Sequence, residues 1–129
     1  MNQGSLDKIL QYVQSGYVLP EPACKYILHN VFSAVSFMHS KNVLHRDIKS
    51  LNILTNSLGE IKVADMGMST FKDDWEEYRH TRVGTSYWQA PELLNGRNYT
   101  KNVDVYSLGC LAYEIATGKP PHLKRGDHK

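Results

Sequence analysis

The residues best suited to chemistry lie in the octet 45–52, which reads His-Arg-Asp-Ile-Lys-Ser-Leu-Asn. Within it, Asp47 supplies a carboxylate, Lys49 an ammonium group and Asn52 an amide. These groups suit phosphoryl transfer, which requires little covalent chemistry from a protein and depends on positioning and on neutralised phosphate charge. Short motifs also arise by chance, and the octet alone is compatible with a solvated loop in which Asn52 is a turn residue. The rest of the chain must decide between the two interpretations.

Four further motifs follow the octet along the chain. Asp65-Met66-Gly67 comes directly after the alternating segment Ile-Lys-Val-Ala at 61–64. The run 83–88 reads Val-Gly-Thr-Ser-Tyr-Trp and shortly precedes Ala90-Pro91-Glu92. The segment 104–109 reads Asp-Val-Tyr-Ser-Leu-Gly and lies near the start of an apolar helical stretch. Asp-Met-Gly by itself would be a turn, but its position after a predicted strand favours a functional element.

Taken together, these motifs resemble those of the eukaryotic protein kinase catalytic domain. The octet fits the H-R-D-x-x-x-x-N catalytic loop, and Asp65 matches the Asp of the Asp-Phe-Gly element, with Met in place of Phe. Glu92 closes the Ala-Pro-Glu element. The run 83–88 resembles the Val-Gly-Thr-Pro-Tyr-Trp of the sterile-twenty-like, small-GTPase-activated branch, with Ser86 where Pro is usual.

The resemblance implies a catalytic role for several of these side chains. Asp47 would accept and orient the substrate hydroxyl, Lys49 would place its charge on the γ-phosphate of ATP, and Thr85 would hydrogen-bond near both. Lys49 and Thr85 together imply a serine/threonine kinase. The implied cofactors are ATP and Mg²⁺, and the metal ligands would be Asn52 and Asp65.

The resemblance also implies nucleotide contacts and a phosphosite. Leu54 would form part of the apolar floor beneath adenine, although without the resemblance it is only a core leucine. Ser5 would lie near the ribose. Thr81 would be the activation-loop phosphosite, with Arg46 placed to capture the added negative charge. The alternative for Thr81 is a simple loop hydroxyl.

Four residues are implied to support the site structurally, namely His45, Arg46, Glu92 and Asp104. Asp104 would accept backbone hydrogen bonds from the catalytic loop. A carboxylate near a helix N-terminus is favourable on electrostatic grounds as well, and both interpretations can hold together. His45 is expected to be a core histidine, because the histidines show no metal-ligand spacing.

The elements that carry these residues follow from periodicity and turn chemistry. The pattern predicts helices that begin after Ser5, near Pro22, at 91 and after Thr100, and short strands at 43–44, 53–54 and 61–64. The turn residues at 56–59 predict that the last two strands form a hairpin. The last helix, ending near Thr117, is apolar around most of its circumference and is therefore expected in the middle of the domain. The predicted fold class is α+β, mainly α-helical, with the short strands placed around the catalytic loop.

By resemblance, residues 1–129 are a partial protein kinase domain, from the first helix of the C-terminal lobe to just after its central buried helix. The chain contains no Gly-x-Gly-x-x-Gly and no Val-Ala-Ile-Lys strand, so we expect the N-terminal lobe and the last helices to be absent. The predicted function is that of a serine/threonine protein kinase present as a truncated catalytic domain. The alternative is a catalytically inactive kinase-like fragment that acts as a binding or regulatory module.

Composition excludes several other classes. The formal net charge is only +2 and the basic residues are scattered, which gives no support to a nucleic-acid or membrane-surface role. The two cysteines are expected to be buried free thiols. No apolar run suggests a membrane span, and no signal peptide is apparent, so an intracellular, cytoplasmic location is expected. The expected partners are ATP and a protein substrate, with an upstream kinase or a small GTPase implied by the branch resemblance.

Overall fold

The structure is a computed structural model of the 129-residue chain and describes residues 4–65, 69–71, 86–95 and 100–122. The helices are α1 (Leu6–Gln14), α2 (Glu21–Ser40), α3 (Pro91–Leu94) and α4 (Asn102–Thr117). The strands are β1 (Gly4–Ser5), β2 (Val43–Leu44), β3 (Ile53–Thr55), β4 (Ile61–Val63) and β5 (Thr70–Phe71). Short 3₁₀ turns cover Ser50–Asn52 and Ser86–Trp88. This architecture confirms the predicted α+β class with short strands around the octet.

Helices α1 and α2 begin and pack as their sequences predict. In α1, Leu6 and Leu10 are fully buried on one face, and Ser5 occupies the N-cap position. The Ser5 hydroxyl donates to the Asp7 carboxylate. It therefore does not accept a hydrogen bond from a backbone N–H of the first turn, as the side chain of a capping serine usually does. In α2, Pro22 lies in the first turn, where its missing N–H costs no hydrogen bond.

Helix α4 is more polar on its buried side than the sequence suggested. Its outer face exposes Val105 and Tyr113, which are 57% and 52% accessible. Its inner face buries Asp104, Ser107 and Glu114 among the apolar residues. A buried polar group is tolerated only when it is hydrogen-bonded, and these three side chains bond to the octet and to the 86–88 turn. Apolar residues do cover most of the circumference, as the sequence predicts, but part of this apolar surface is exposed and three polar side chains lie on the buried face.

The strands form two small antiparallel sheets. One has the order β1-β3-β4 and the other pairs β2 with β5. The predicted hairpin between β3 and β4 is confirmed, with Ile53 opposite Val63 and Thr55 opposite Ile61. The Asn56 side chain stabilises its turn, because Oδ1 accepts hydrogen bonds from the backbone N–H groups of Leu58 and Glu60 at 2.9 and 3.1 Å. Strands β1 and β5 were not predicted, since Gly4–Ser5 and Thr70–Phe71 lack the apolar pair that marks β2 at Val43–Leu44.

Two apolar clusters lie on either side of the octet. The larger one joins α1, α2 and α4 with Ile48 and Ile53. The smaller one contains Leu44, Ala90, Leu93 and Val103. Because Leu44 precedes the octet and Ile48 lies within it, the backbone of the octet is fixed by both clusters.

The described residues show whether any helix could span a membrane and whether the two cysteines are free. None of the helices seen in these ranges is both long and apolar enough to cross a bilayer. Both cysteines are free, as predicted, but only Cys110 is buried and Cys24 is half-buried.

Replacing Gly118 with Ala is expected to lower the free energy of unfolding by about 2 kcal/mol or more. Gly118 ends α4 with φ 81°, and an added Cβ would lie 2.8 Å from the backbone nitrogen of Gln14 in α1. Gly59 is the matched control, because its φ is also positive (78°) but an added Cβ would meet nothing within 4 Å. Gly59→Ala should therefore cost only the backbone strain, about 1 kcal/mol. Equal losses for the two variants in denaturant unfolding would contradict the close approach of α1 and α4.

Candidate active site

The octet runs between β2 and β3 with most of its side chains buried. His45, Arg46, Asp47 and Ile48 are all buried, and the 3₁₀ turn at Ser50–Asn52 closes with a hydrogen bond of 3.0 Å from Asn52 N–H to the carbonyl of Lys49. Charged groups are rarely buried without partners, so their contacts determine the shape of the site.

His45 is a core histidine, as the sequence predicts. Its ring is inaccessible to solvent and bridges two segments. The backbone N–H of Asp47 donates to Nδ1 at 3.1 Å, and Nε2 lies 2.9 Å from the carbonyl oxygen of Ala64. These partners assign a neutral ring with its proton on Nε2, which donates to Ala64. His45 thus ties the octet to the end of β4.

A second bond from Ala64 brings Asp65 to the octet. The Ala64 N–H donates to the backbone carbonyl of Asn52 at 2.7 Å, so both polar backbone groups of Ala64 are held by octet residues. Asp65 follows immediately and is exposed. The two candidate metal ligands, Asn52 and Asp65, therefore lie on segments that are bonded to each other.

Asp47, Lys49 and Asn52 are directly in contact. The Asn52 amide donates to the Asp47 carbonyl at 2.7 Å and to its Oδ2 at 3.1 Å. The Lys49 Nζ lies 3.7 Å from the same Oδ2. Asp47 is thus held by the amide of Asn52 and lies beside the cation of Lys49.

The orientation of Asn52 also fits a metal. Since its Nδ2 faces Asp47, its amide oxygen points away from that residue. An amide oxygen and the Asp65 carboxylate are hard ligands of the kind that Mg²⁺ prefers, and Mg²⁺ completes its octahedron with phosphate oxygens and water. Among the described residues there is no group of three His, Cys, Asp or Glu that would form a protein-only metal site. The donor set therefore fits a metal that is shared with a phosphate ligand.

Asp104 anchors the start of the octet from α4. It is completely buried, and its two oxygens accept the backbone N–H groups of His45 and Arg46, each at 2.9 Å. Its Oδ2 also lies 2.8 Å from Nε2 of His39, at the end of α2. The two backbone bonds are those that the sequence resemblance implied, whereas the contact with His39 was not foreseen.

Two residues of the site have left-handed backbone conformations. Arg46 has φ 69° and Asp65 has φ 56°. For residues other than glycine such conformations cost about 1–3 kcal/mol, and they persist where neighbouring bonds fix them. The hydrogen bond from the Arg46 N–H to Asp104 holds the backbone of Arg46 in this conformation. The hydrogen bond from the Ala64 N–H to the Asn52 carbonyl holds the backbone next to Asp65.

Ser5 and Leu54 are opposite each other in the sheet. They are register partners between β1 and β3, and both are half-buried. Directly opposed residues of an antiparallel pair project from the same face. The two residues proposed to contact ribose and adenine therefore share one surface, and their nucleotide contacts stay a prediction.

The other candidates are less closely connected to the octet or lie elsewhere. Glu92 is half-buried in the first turn of α3. Thr81 and Thr85 lie outside the described residues, so their predicted roles stay predictions.

Sequence reasoning missed Glu114, a buried carboxylate of α4. It accepts a hydrogen bond from the Ser50 hydroxyl and one of 2.8 Å from Nε1 of Trp88. Glu114 and Ser107 lie ten and three residues after Asp104, which places all three on one face at 3.6 residues per turn. A polar stripe along an otherwise apolar helix was therefore the available signal.

Stability should depend on pH through Glu114. Burial raises the pKa of this carboxyl, although the hydrogen bonds from Ser50 and Trp88 oppose the shift. The folded chain thus holds the proton to higher pH than the unfolded chain does. The resulting stabilisation is complete below the ordinary Glu pKa and is lost as the pH rises through the raised pKa.

The prediction is tested by comparing thermal unfolding of the wild type and Glu114→Gln across this pH window. The stability of the wild type should fall relative to that of the variant as the pH rises. Glu60→Gln, in an exposed turn, serves as the control and should give a curve parallel to the wild type. Parallel curves for Glu114→Gln would contradict a raised pKa.

The octet, its link to Asp65 and its anchor on α4 define the catalytic-loop region of a protein kinase domain. A family model for the protein kinase domain matches residues 1–129, and the chain belongs to this family. It is 41% identical over 123 residues to the serine/threonine-protein kinase pakB of Dictyostelium discoideum, covering 95% of this chain and 14% of that protein. It is 38% identical over 127 residues to the serine/threonine-protein kinase CLA4 of Saccharomyces cerevisiae, covering 95% of this chain and 15% of that protein.

A third relative is the serine/threonine-protein kinase ste20 of Emericella nidulans, which is 38% identical over 123 residues, or 95% of this chain and 14% of the relative. The predicted resemblance to sterile-twenty-like serine/threonine kinases is confirmed. The chain spans about one seventh of the length of these three relatives. Protein kinases generally use ATP and Mg²⁺.

Proposed function

We propose that this chain carries the catalytic loop of a serine/threonine protein kinase that transfers the γ-phosphate of ATP to protein hydroxyls. The observation that carries this proposal is the contact of Asp47 with both Lys49 and Asn52, on a loop bonded through Ala64 to the segment of Asp65. A base, a phosphate-neutralising cation and two oxygen ligands for a metal are thus gathered from one loop and one strand end.

The hydroxyl of the substrate would bind at Asp47. The Asp47 carboxylate would orient the hydroxyl for in-line attack and accept its proton as the hydroxyl oxygen bonds to the γ-phosphorus. The bond between that phosphorus and the bridging oxygen would break, and ADP would leave. Lys49 neutralises negative charge on the transferred phosphoryl group, and its 3.7 Å distance from Asp47 Oδ2 places this charge beside the base. His45 and Asp104 keep the loop rigid, so little reorganisation is needed during the reaction.

Asn52 and Asp65 would hold Mg²⁺, and Ser5 and Leu54 would lie against the nucleotide. When bound, Mg-ATP supplies the phosphoryl group and an electrophilic phosphorus whose charge is already partly neutralised. The half-buried face shared by Ser5 and Leu54 supports a floor for the nucleoside. An intracellular setting, where ATP is available, suits this function.

Regulation would involve the segment before Ala90-Pro91-Glu92. We include in the proposal phosphorylation of Thr81 by an upstream kinase, with Arg46 attracting the phosphate, and hydrogen bonding of Thr85 near Asp47. A protein substrate with Ser or Thr is the expected partner, and similarity to relatives named ste20 and pakB supports a shared mode of control, such as a small GTPase.

The test measures phosphate transfer from ATP to a generic Ser/Thr protein by the natural protein that contains this chain. Transfer should require Mg²⁺, and Asp65→Asn should raise the Mg²⁺ concentration needed for half-maximal transfer and lower the rate at least about tenfold. Glu60→Gln, in the exposed turn between β3 and β4, should leave the rate unchanged. A rate that Asp65→Asn does not alter would contradict the proposed role of Asp65.

A second candidate is a catalytically inactive kinase-like module that binds or regulates a partner. Magnesium-dependent ATP binding separates the two candidates. Tight binding with turnover supports the kinase, and a folded natural protein that binds a partner but neither binds nor hydrolyses ATP supports the module.

A further inference from the structure

A cavity of about 370 Å³ lies between α3 and α4. Its volume is at the lower end of the range for small-molecule pockets. The described residues that form its wall come from both helices and from the segments next to them, and they are Gln89, Pro91, Leu94, Asn95, Tyr106 and His122. None of them belongs to the octet or to the residues proposed to hold the nucleotide or the metal.

Gln89 brings an unpaired hydrogen-bond donor to this wall. The residue is only 7% exposed, and its Nε2 has no hydrogen-bond partner among the described residues. Native proteins rarely leave a buried donor unpaired, because the group loses its bonds to water and gains none in return. The last side-chain torsion of Gln is soft, so the amide can turn to present Nε2 to the cavity. A ligand with an acceptor atom would then supply the missing partner.

His122 has an unusual backbone conformation at the same cavity. Its φ is 67°, in the left-handed region that few residues other than glycine adopt, and its Nε2 lies 3.1 Å from the Tyr106 hydroxyl oxygen. Such conformations persist where the surroundings fix them, and they cluster at functional sites and ligand clamps. The unpaired amide of Gln89 and the conformation of His122 therefore both mark this cavity as a binding site.

The wall residues define what a ligand must present. Pro91, Leu94 and the ring of Tyr106 offer apolar surface, which favours an apolar group on the ligand. The donor of Gln89 requires a hydrogen-bond acceptor close to that group. A ligand that fits both features joins an acceptor oxygen directly to a compact apolar body.

The charges near the cavity favour a neutral acceptor. Burial raises the pKa of Tyr106, and the nearby thiol of Cys110 and carboxylate of Glu92 raise it further. Negative charge on Glu92 is therefore felt at this wall, and the described wall residues include no lysine or arginine that could offset it. A ligand carboxylate would be repelled, whereas an amide carbonyl would not.

We propose that this cavity binds a small neutral ligand that carries an amide carbonyl next to an apolar group. The carbonyl oxygen accepts a hydrogen bond from Gln89 Nε2, and the apolar group packs on the apolar part of the wall. The site is separate from the surface shared by Ser5 and Leu54, so its occupation requires neither ATP nor the proposed kinase activity.

The experiment titrates the natural protein with benzamide, which joins a neutral amide carbonyl to an apolar ring, and follows binding by ligand-observed NMR. The expected dissociation constant is about 0.1–10 mM, from the affinity per atom of small ligands. Aniline keeps the ring but lacks the carbonyl, and it should bind about fivefold more weakly or worse. Absence of benzamide binding in this range, or equal binding of the two probes, would overturn the proposal.

Gln89→Met tests the donor. Met is also unbranched but has no N–H, so the variant removes an unpaired buried group and should fold at least as well as the wild type, which thermal unfolding checks. It should weaken benzamide binding about fivefold or more and leave aniline binding unchanged. Gln11→Met makes the same change at an exposed position of α1 and should bind benzamide as the wild type does. Equal affinity of Gln89→Met and the wild type for benzamide would refute the role of Gln89.

Two further titrations locate the probe and define the ligand. Benzamide binding should persist in saturating Mg-ATP, and displacement by Mg-ATP would place the probe on the nucleotide surface and contradict the proposed site. An amide carbonyl also occurs in every peptide bond, so N-acetylleucine methylamide is tested as a peptide analogue. A small-ligand site should bind it no more tightly than benzamide. Binding about tenfold tighter would assign the cavity to a peptide and overturn the small-ligand proposal.

Discussion

Replacing Asp47 with Asn is expected to lower kcat for phosphoryl transfer by about 10²- to 10⁴-fold, the range associated with loss of a general base. Asn has the same shape, and its side-chain oxygen can still accept the hydrogen bond that Asn52 donates at 3.1 Å. It has no charge and cannot accept the proton of the substrate hydroxyl. KM for ATP should change little, since Asp47 is not a nucleotide ligand in this proposal.

Steady-state kinetics of the natural protein measure this effect. Glu60→Gln is the control, because it makes the same chemical change in an exposed turn outside the site. Because Asn52 and Lys49 both contact Asp47, thermal unfolding of the variant should be recorded as well. A folded Asp47→Asn protein with a wild-type kcat would contradict the assignment of Asp47 as the base.

Replacing Asp104 with Ala should lower the free energy of unfolding by about 3–5 kcal/mol, the cost of removing one partner from a buried charged network. The variant leaves the backbone N–H groups of His45 and Arg46 and the His39 ring without their acceptor. It also releases the left-handed conformation of Arg46, so activity should fall with stability.

A surface carboxylate provides the comparison. Glu21 forms an exposed ion pair with Lys25 at 2.9 Å, and such pairs contribute about 0.2–1 kcal/mol. Glu21→Ala should therefore shift the denaturant midpoint only slightly, with an unchanged slope. If Asp104→Ala were as mild as Glu21→Ala, the anchoring of the octet by α4 would be refuted.

The helices and the hairpin could be predicted because their sequences carry strong periods and clear end signals. Leu6 and Leu10 define the buried face of α1, and Gly118 ends α4 in the left-handed conformation. Strands β1 and β5 could not be found, because Gly4–Ser5 and Thr70–Phe71 carry no apolar pattern and form strands only through pairing with distant partners. The polar inner face of α4 was misjudged for a similar reason, since its buried polar groups are satisfied by residues far away in sequence.

In the candidate site, too, the residues could be predicted from local sequence, but most of their tertiary contacts could not. The motif residues were available from spacing, and the bonds of Asp104 to the octet agree with the implied support role. The links through Ala64, the contact of His39 with Asp104 and the bridge through Glu114 depend on tertiary contacts across 12 to 65 residues of sequence. No local pattern encodes such contacts.

The most direct test of the kinase proposal is transfer of the labelled γ-phosphate of ATP by the natural protein to peptides that contain Ser, Thr or Tyr, with and without EDTA. We predict label on Ser or Thr, none on Tyr, and loss of transfer when Mg²⁺ is removed. Three results would contradict the kinase proposal. They are label on Tyr alone, transfer that EDTA does not affect, and no transfer by a folded protein that binds Mg-ATP.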